Sequence, residues 1–187
     1  MNNVSGTNYF ALQVRTKGEE KFIRQARSVR PGASIYFPKR VLDIRKMGKV
    51  KPTQFAIFPG YVFLELDAEE NVNRYQFAFR KIDSFYRFLG SGHTITPLKE
   101  RDLEIVLHFI KIGPVAEKSK VYFDENSRIV VLHGPLSGLE GKIVNVDRRK
   151  RRAKIVLDLY DDKFSIDLAF DVIEKTAVQN YAPCKNN

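Results

Sequence analysis

The chain has very little cysteine and no long apolar segment. Its single cysteine, Cys184, lies in a polar tail, which excludes a disulfide framework and a metal site built from several thiolates. The first twenty residues contain no apolar core of a signal peptide, and no run approaches the roughly 18 apolar residues that a membrane span needs. These absences predict a protein of a reducing, cytoplasmic compartment with no membrane partner.

Histidine is also scarce. His93, His108 and His133 fall on different predicted elements, and no carboxylate or thiol is spaced to join them in a metal site or a catalytic triad. The Gly-Ser-Gly of residues 90–92 is not followed by the Lys-Ser/Thr pair of a phosphate-binding loop. We therefore expect no catalytic residues, no metal and no cofactor, and the sequence predicts a binding protein rather than an enzyme.

Positive charge is abundant. The formal net charge of +10 favours nucleic acid or an acidic surface as the partner of this 187-residue chain. Most of the excess lies in residues 1–112, and the remainder is nearly neutral except for five consecutive cations at 148–152. That run stands where the chain must reverse between two predicted strands, so it is either a nucleic-acid contact or a solvated hairpin tip.

Residues 8–113 alternate between strand and helix patterns. Period-two alternation and β-prone composition predict strands at 8–15, 34–37, 41–47, 49–57, 61–66 and 84–89. Helical spacing of apolar residues predicts helices at 17–30, 69–81 and 97–112. This order predicts an α+β fold whose N-terminal antiparallel sheet is flanked by helices.

The helical period disappears after residue 113. Residues 114–125 are charged and weakly periodic, which predicts a flexible linker. Short strands follow, with turns between them, at 128–132, 142–146, 153–160, 163–168 and 172–174. Glycines between residues 134 and 141 supply the sharp corners that a small barrel requires. We expect a small five-stranded β-barrel at 126–175, a tail at 176–187 and a disordered segment at 1–7.

Two sets of motifs resemble the NusG family of transcription elongation factors. Phe58-Pro59-Gly60-Tyr61-Val62-Phe63 is similar to the most specific motif of the family's NGN domain, and residues 9–14, 88–90 and 96–98 are weaker matches. The glycine-cornered turn at 134–141 and the strand after it are similar to a KOW motif. The resemblance spans about residues 8–175 and implies an NGN domain at 8–113 and an SH3-like KOW barrel at 126–175.

The resemblance implies a role in transcription. In the family, the NGN domain docks on the clamp helices of the RNA polymerase β′ subunit and suppresses pausing, and the KOW barrel recruits a second partner. For this chain it implies a monomer whose polymerase-binding depression is formed by the motif and the first strand. The candidate polymerase-binding residues are Phe10, Phe58, Pro59, Gly60, Tyr61 and Phe63. The alternative is that the aromatic residues among them belong to the core.

Two basic segments are candidate nucleic-acid contacts. A predicted hairpin holds six cations against Asp43 alone, and we expect phosphate contacts with upstream or non-template DNA. These cations are Lys39, Arg40, Arg45, Lys46, Lys49 and Lys51. The alternative is a charged edge that prevents strand pairing. The second segment consists of Arg148, Arg149, Lys150, Arg151 and Arg152. We expect it to bind nascent RNA, because the arginine fork matches phosphate and stacks on bases.

Residues 160–163 depart from the housekeeping members of the family. The loop that in those proteins carries a Gly-Arg pair, and contacts Rho or a ribosomal small-subunit protein, reads Tyr160-Asp161-Asp162-Lys163 here. Tyr160 keeps the aromatic residue expected to contact a partner, but Asp161 and Asp162 make the loop acidic where the Gly-Arg pair makes it basic. We therefore expect a specialised paralogue similar to the LoaP type, acting as a processive antiterminator of particular operons. The alternatives are a housekeeping NusG that couples transcription to Rho or the ribosome, and a ribosome-associated KOW RNA-binding protein.

Overall fold

The structure, a computed structural model, describes residues 6–91, 94–159 and 162–174. The chain forms two compact units that alternate along the sequence. Among the described residues, the first unit contains those up to Pro38 and residues 58–110, and the second contains residues 39–57 and those from Lys111 onward.

The described residues form strands, three α-helices and one short 3-10 turn. In chain order they are β1 (Thr7–Val14), α1 (Glu19–Val29), β2 (Ser34–Tyr36), β3 (Lys39–Lys46), β4 (Lys49–Ala56), β5 (Tyr61–Asp67), α2 (Val72–Phe79), β6 (Phe85–Phe88), β7 (Gly90–Ser91), β8 (Thr94–Ile95), α3 (Glu100–Ile112), β9 (Val115–Ala116), β10 (Ser119–Phe123), β11 (Ile129–His133), the 3-10 turn Glu140–Lys142, β12 (Ile143–Asp147), β13 (Arg152–Leu159) and β14 (Asp162–Val172).

The first unit is built on an antiparallel sheet with the strand order β2-β5-β1-β6. Phe10 and Leu12 of β1 project from one face and pack with Phe22 of α1 and Phe79 of α2. The Phe22 and Phe79 rings meet edge to face, with their centroids 5.4 Å apart. This face of the sheet therefore holds a core of the unit. Because side chains alternate across a strand, the other side chains of β1 and β5 project from the opposite face.

The second unit combines a hairpin with a five-stranded sheet. β3 and β4 form the antiparallel hairpin, and β9 pairs in parallel with the start of β3. The larger sheet has the order β11-β10-β14-β13-β12, in which β10 and β14 are parallel. Along β13, the buried residues Ala153, Ile155, Leu157 and Leu159 alternate with more exposed ones, as expected of a strand with one face turned to a core.

The α+β class predicted from the sequence is confirmed, with helices on the N-terminal sheet and five strands in the C-terminal one. The glycine corner is also needed as expected. Gly134 has φ +105°, and a Cβ atom there would stand 2.7 Å from the Cα atom of Ser119. Only glycine fits this position, because a side chain would collide with the backbone of β10.

Three features differ from the predicted organisation. The segment 114–125, predicted as a flexible linker, contains β9 and β10. The two strands predicted at 163–168 and 172–174 are a single strand, β14. The hairpin, predicted as part of the N-terminal domain, is compact with the C-terminal sheet. All three depend on pairing between strands distant in sequence, which local periodicity does not encode. The predicted disordered segment overlaps β1 at Thr7, and the predicted tail lies outside the described residues.

Candidate functional site

The Phe58-Pro59-Gly60-Tyr61 motif forms a tight turn ahead of β5. The Tyr61 amide donates to the Phe58 carbonyl at 3.1 Å, and Gly60 has φ +84°. Proline followed by a residue with positive φ is the pattern of a type II turn. The Gly60 carbonyl also accepts a hydrogen bond from the Val14 amide at 2.8 Å, so the turn is joined to the end of β1.

A buried glutamate holds this turn from the other side. The Glu19 side chain, in the first turn of α1, accepts a hydrogen bond from the Gly60 amide at 2.8 Å and is only 4% exposed. A Cβ atom at Gly60 would lie 3.0 Å from Thr16 Oγ1. Glu19 is not among the site residues predicted from the sequence, since an acidic residue at a helix start also occurs for its favourable interaction with the helix dipole.

The aromatic residues predicted to bind polymerase are buried within the first unit. Phe58 and Phe63 are at most 1% exposed, with ring centroids 5.5 Å apart, and Phe58 also meets Phe109 of α3 edge to face at 5.9 Å. Tyr61 is buried as well. The alternative considered for these rings, a place in the core, therefore describes their surroundings, and Pro59 is the exposed residue of the turn.

The candidate residues of β1 and β5 also divide between the two faces of the sheet. Phe63 is paired with Ala11, whereas Phe10 is paired with Leu64 and shares its face. Phe10 consequently belongs to the core under α1 and α2, while Tyr61 and Phe63 project from the opposite face. The six predicted polymerase-binding residues do not form one surface.

Two aromatic side chains of the first unit are exposed instead. Phe77 of α2 is 70% exposed, and Tyr86 of β6 is 57% exposed. The ammonium of Lys81 lies 5.5 Å from the centre of the Phe77 ring. The sequence contained a signal for Phe77, because it falls outside the helical stripe formed by Val72, Tyr75 and Phe79.

The basic hairpin presents most of its cations to solvent. Arg45, Lys46, Lys49 and Lys51 are exposed around a tip where Met47 and Gly48 both have positive φ, as in a type I′ turn. Asp43 is the only acidic residue of the hairpin, and its carboxylate lies 2.5 Å from the Lys118 ammonium. Its negative charge is therefore largely neutralised within the second unit.

Arg40 is a structural member of the hairpin. It is partly buried, and its guanidinium donates to the Ala56 carbonyl across the β3–β4 pair. Burial lowers the pKa of Arg40, the neighbouring Arg152 lowers it further, and the Asp167 carboxylate acts in the opposite direction. Lys39 is also only partly exposed. Of the six hairpin cations, four are placed to meet a partner.

The five-cation run at 148–152, termed the cationic tip, also divides into two classes. The Arg148 guanidinium stacks 4.0 Å above the centre of the Phe123 ring and donates to the Ser127 carbonyl at 2.6 Å. Arg152 is half-buried and donates to the Asp43 backbone carbonyl at 2.7 Å. These two arginines join the tip to neighbouring segments of the second unit.

The middle three residues of the tip point outward. Arg149 is exposed, and Arg151 is 63% exposed and 4.0 Å from Asp171. Lys150 pairs with Asp147 at 3.5 Å, and the Asp147 side chain also accepts from the Lys150 amide at 2.8 Å. That backbone hydrogen bond is the principal cause of the lowered pKa of Asp147. The exposed pair still leaves Lys150 available to phosphate, since exposed ion pairs are weak.

Tyr160, the predicted partner contact of the barrel, lies outside the described residues, as do His93 and Cys184. No group of three or more His, Cys, Asp or Glu side chains with metal-binding spacing occurs in the part of the chain that the structure describes. None of the three described helices combines the length and apolar character that crossing a bilayer requires.

Comparison with known proteins places the chain in a family. A family model described as "Transcription termination factor nusG" matches residues 7–107, more than half of the chain. The chain belongs to the NusG family. The matched residues include β1, the hairpin, the Phe-Pro-Gly-Tyr turn and most of α3.

Several curated NusG proteins are similar to this member of the family. The transcription termination/antitermination protein NusG of Neisseria meningitidis is 23% identical over 166 residues, covering 89% of this chain and 92% of that protein. The Bacillus subtilis protein of the same description is 26% identical over 130 residues, covering 70% and 72%. The Helicobacter pylori protein is 25% identical over 138 residues, covering 72% and 74%.

A solved structure of Thermotoga maritima NusG has the same fold. It superimposes with a TM-score of 0.54 at 21% sequence identity, covering 87% of this chain and 93% of that one. The similarity in fold therefore extends over most of both chains.

Proposed function

We propose that this protein is a transcription elongation factor that binds RNA polymerase through its first unit and suppresses pausing and termination. The observation that carries the proposal is the family match over residues 7–107, with the Phe-Pro-Gly-Tyr turn near its centre. It is supported by relatives named for termination and antitermination. The protein would act by binding, as a cytoplasmic monomer, on the clamp helices of the β′ subunit.

The surroundings of the turn indicate which of its residues would contact the polymerase and which would only support the surface. Phe58, Tyr61 and Phe63 are buried, so they would fix the shape of the surface rather than supply its exposed atoms. Pro59 is exposed at the turn and is held in place through Gly60 and Glu19. The polymerase contact would therefore include Pro59 and the backbone around it, and a rigid turn would lower the entropic cost of binding.

Polymerase binding by the full chain tests this proposal, with two matched variants. Pro59→Asp places a charge at the proposed contact, and Pro31→Asp places the same charge at another exposed proline that also precedes a glycine of positive φ. We expect Pro59→Asp to weaken binding to bacterial RNA polymerase by about tenfold or more, and to lose the shortening of pauses in single-round transcription. Pro31→Asp should retain both. Equal behaviour of the two variants would contradict a role for the turn.

The second unit would bind RNA or a protein partner during elongation. We infer a specialised antiterminator of particular operons, supported by Tyr160-Asp161-Asp162-Lys163, where housekeeping members carry a Gly-Arg pair. Transcription through an intrinsic terminator and through a Rho-dependent one, with and without the protein, tests this inference. An antiterminator increases read-through at both terminators.

A housekeeping role is the second candidate, because the relatives are named for termination as well as antitermination. In the same assay a housekeeping protein would increase release at the Rho-dependent terminator. Pause suppression without any effect at either terminator would leave a general elongation factor and contradict the specialised role.

A further inference from the structure

The hairpin and the cationic tip, predicted as two separate nucleic-acid contacts, belong to one compact unit. The Lys39 amide donates to the Pro114 carbonyl at 3.1 Å, and β9 continues this connection by pairing with Lys39 and Arg40. The Lys118 ammonium binds the Asp43 carboxylate, and the Arg152 guanidinium binds the Asp43 carbonyl. Asp43 thus links the hairpin to both the segment after β9 and the tip.

A cleft of about 690 Å³ lies between the hairpin and the tip. Residues 43–45 and 50 of the hairpin line one side, and residues 149–152 of the tip line the other. This volume falls within the range of roughly 300–1,000 Å³ that is usual for ligand sites. The cleft is therefore large enough to take more than a single small ion.

The charge of the cleft is strongly positive. Its lining contains five cations and one acid, Asp43, whose carboxylate is already bound by Lys118. Arg152 is engaged with the Asp43 carbonyl, so the cations placed to meet a ligand are Arg45 on one side and residues 149–151 on the other. Arginine forks match phosphate oxygens bidentately, which favours a phosphate-bearing ligand.

The other residues that line the cleft are apolar. They are Ile44 and Val50 of the hairpin, and Val50 is 54% exposed. The residues that line the cleft include no asparagine or glutamine, the side chains that pair with the edge of adenine. A positively charged groove that follows the phosphate backbone is one of the means by which proteins hold a single strand.

We propose that this cleft binds the sugar-phosphate backbone of one single-stranded nucleic acid, with phosphates held by Arg45 on the hairpin side and Arg149 and Arg151 on the tip side. The two basic segments then form a single site for one strand. The proposal goes beyond polymerase binding, and its test contains no polymerase. A failure here therefore leaves the pausing experiment with Pro59→Asp unaffected.

Fluorescence anisotropy of the full chain with labelled oligonucleotides of about 12 units tests the site. The probes are a single-stranded RNA, a single-stranded DNA of the same sequence and the corresponding DNA duplex. We expect 1:1 binding to a single strand that is tighter than binding to the duplex. RNA and DNA affinities then distinguish transcript from displaced DNA as the source of the strand. Tighter binding of the duplex would overturn the proposal.

Single substitutions on opposite sides of the cleft separate one site from two. Arg45→Ala and Arg149→Ala should each weaken the same single-stranded probe by about tenfold, since both remove a charged hydrogen-bond donor to phosphate. Arg101→Ala, which removes an exposed arginine from α3, is the matched control and should change affinity by less than about twofold. If only one of Arg45→Ala and Arg149→Ala weakened the affinity, or if Arg101→Ala weakened it equally, the proposal of a single site would be overturned.

The salt dependence gives an independent readout. The three arginine contacts to a single strand predict a slope of log K against log salt of about −2, at roughly −0.7 for each contact. Arg45→Ala and Arg149→Ala should each make that slope less negative by about 0.7. An unchanged slope in either variant would show that the substituted arginine does not meet a phosphate.

Discussion

Individual residues of similar type have different surroundings in this protein. Arg148 and Arg149 are adjacent, yet Arg148 stacks on Phe123 and bonds the Ser127 carbonyl, while Arg149 lines the cleft. A cation over an aromatic face and a hydrogen bond to a backbone carbonyl stabilise the folded chain. Arg148 therefore contributes to stability, whereas Arg149 is one of the arginines proposed to hold phosphate. Gly60 and Gly32 differ in a similar way. Both have positive φ, but of these two only Gly60 has another residue close to where a Cβ atom would lie.

Replacing Gly60 by alanine should destabilise the protein more than replacing Gly32. Gly60 has φ +84° and Gly32 has φ +85°, so alanine at either position costs about 1–2 kcal/mol for the left-handed backbone. At Gly60 the added methyl would also approach Thr16 Oγ1 to 3.0 Å, whereas nothing lies within 4 Å at Gly32. We expect an additional loss of about 1 kcal/mol in the free energy of unfolding.

Urea unfolding with a common m value measures this difference. Gly32→Ala is the matched control for backbone strain alone. Equal losses in the two variants would show that Thr16 moves aside without cost and that the turn is less tightly held than its contacts indicate.

At the scale of elements, strand pairing places side chains that the sequence separates. β2 is a short edge strand next to β5, and its Tyr36 hydroxyl donates to Glu65 Oε2 of β5 at 2.5 Å. This hydrogen bond is the largest of several causes that raise the pKa of Tyr36 to about 12, together with burial and the charge of Glu65. Tyr9 of β1 lies beside them, with its ring centroid 6.5 Å from that of Tyr36.

Stability should fall at high pH partly through Tyr36. Its folded pKa exceeds the ordinary value of 10.0, so between about pH 10 and 12 the unfolded chain binds fewer protons than the folded one. The stabilisation is therefore complete below about pH 10 and is lost as the pH rises through 12. Tyr36→Phe should show a smaller decrease in the unfolding midpoint over this interval than the parent protein.

Urea midpoints at several pH values between about 9 and 12 check this prediction. Tyr86→Phe alters an exposed tyrosine of the same sheet and serves as the control, with an expected decrease equal to that of the parent. If Tyr36→Phe behaved like this control, the hydrogen bond to Glu65 would not be formed in solution.

At the scale of the whole molecule, the units do not follow one another along the chain. The hairpin at 39–57 interrupts the first unit in sequence but is compact with the second. Its connections include β9, Lys118 and Arg152, and Arg152 is 109 positions away from Asp43. The order of the hairpin should therefore depend on a distant part of the chain.

A fragment that ends at residue 113 should lose this order selectively. It would lack β9, Lys118 and Arg152, and we expect the β3 amides to exchange at least about tenfold faster than in the full chain, a change of about 1.4 kcal/mol. The β1 amides lie between β5 and β6 in the first unit and should keep their protection, which provides an internal control. Unchanged protection in β3 would mean that the β3–β4 pair is sufficient by itself.

The sequence by itself determined the α+β class, the approximate bounds of most elements and the turns that separate them. It did so because strand and helix periods, proline before glycine, and glycine at positive φ are properties of the local backbone. Gly60 and Gly134 illustrate this, since both have a positive φ, which glycine adopts without strain. The family resemblance also rested on local motifs, and the match over residues 7–107 agrees with it.

Only the tertiary structure decided which of the predicted site residues are exposed. Phe58, Tyr61 and Phe63 are buried because α3 and the sheet enclose them. Arg152 joins the tip to the hairpin because the fold brings the Asp43 carbonyl within hydrogen-bond distance of its guanidinium. These outcomes depend on contacts between residues far apart in the chain, which composition and spacing do not specify. The same contacts turn two basic segments of the sequence into the opposite sides of one cleft.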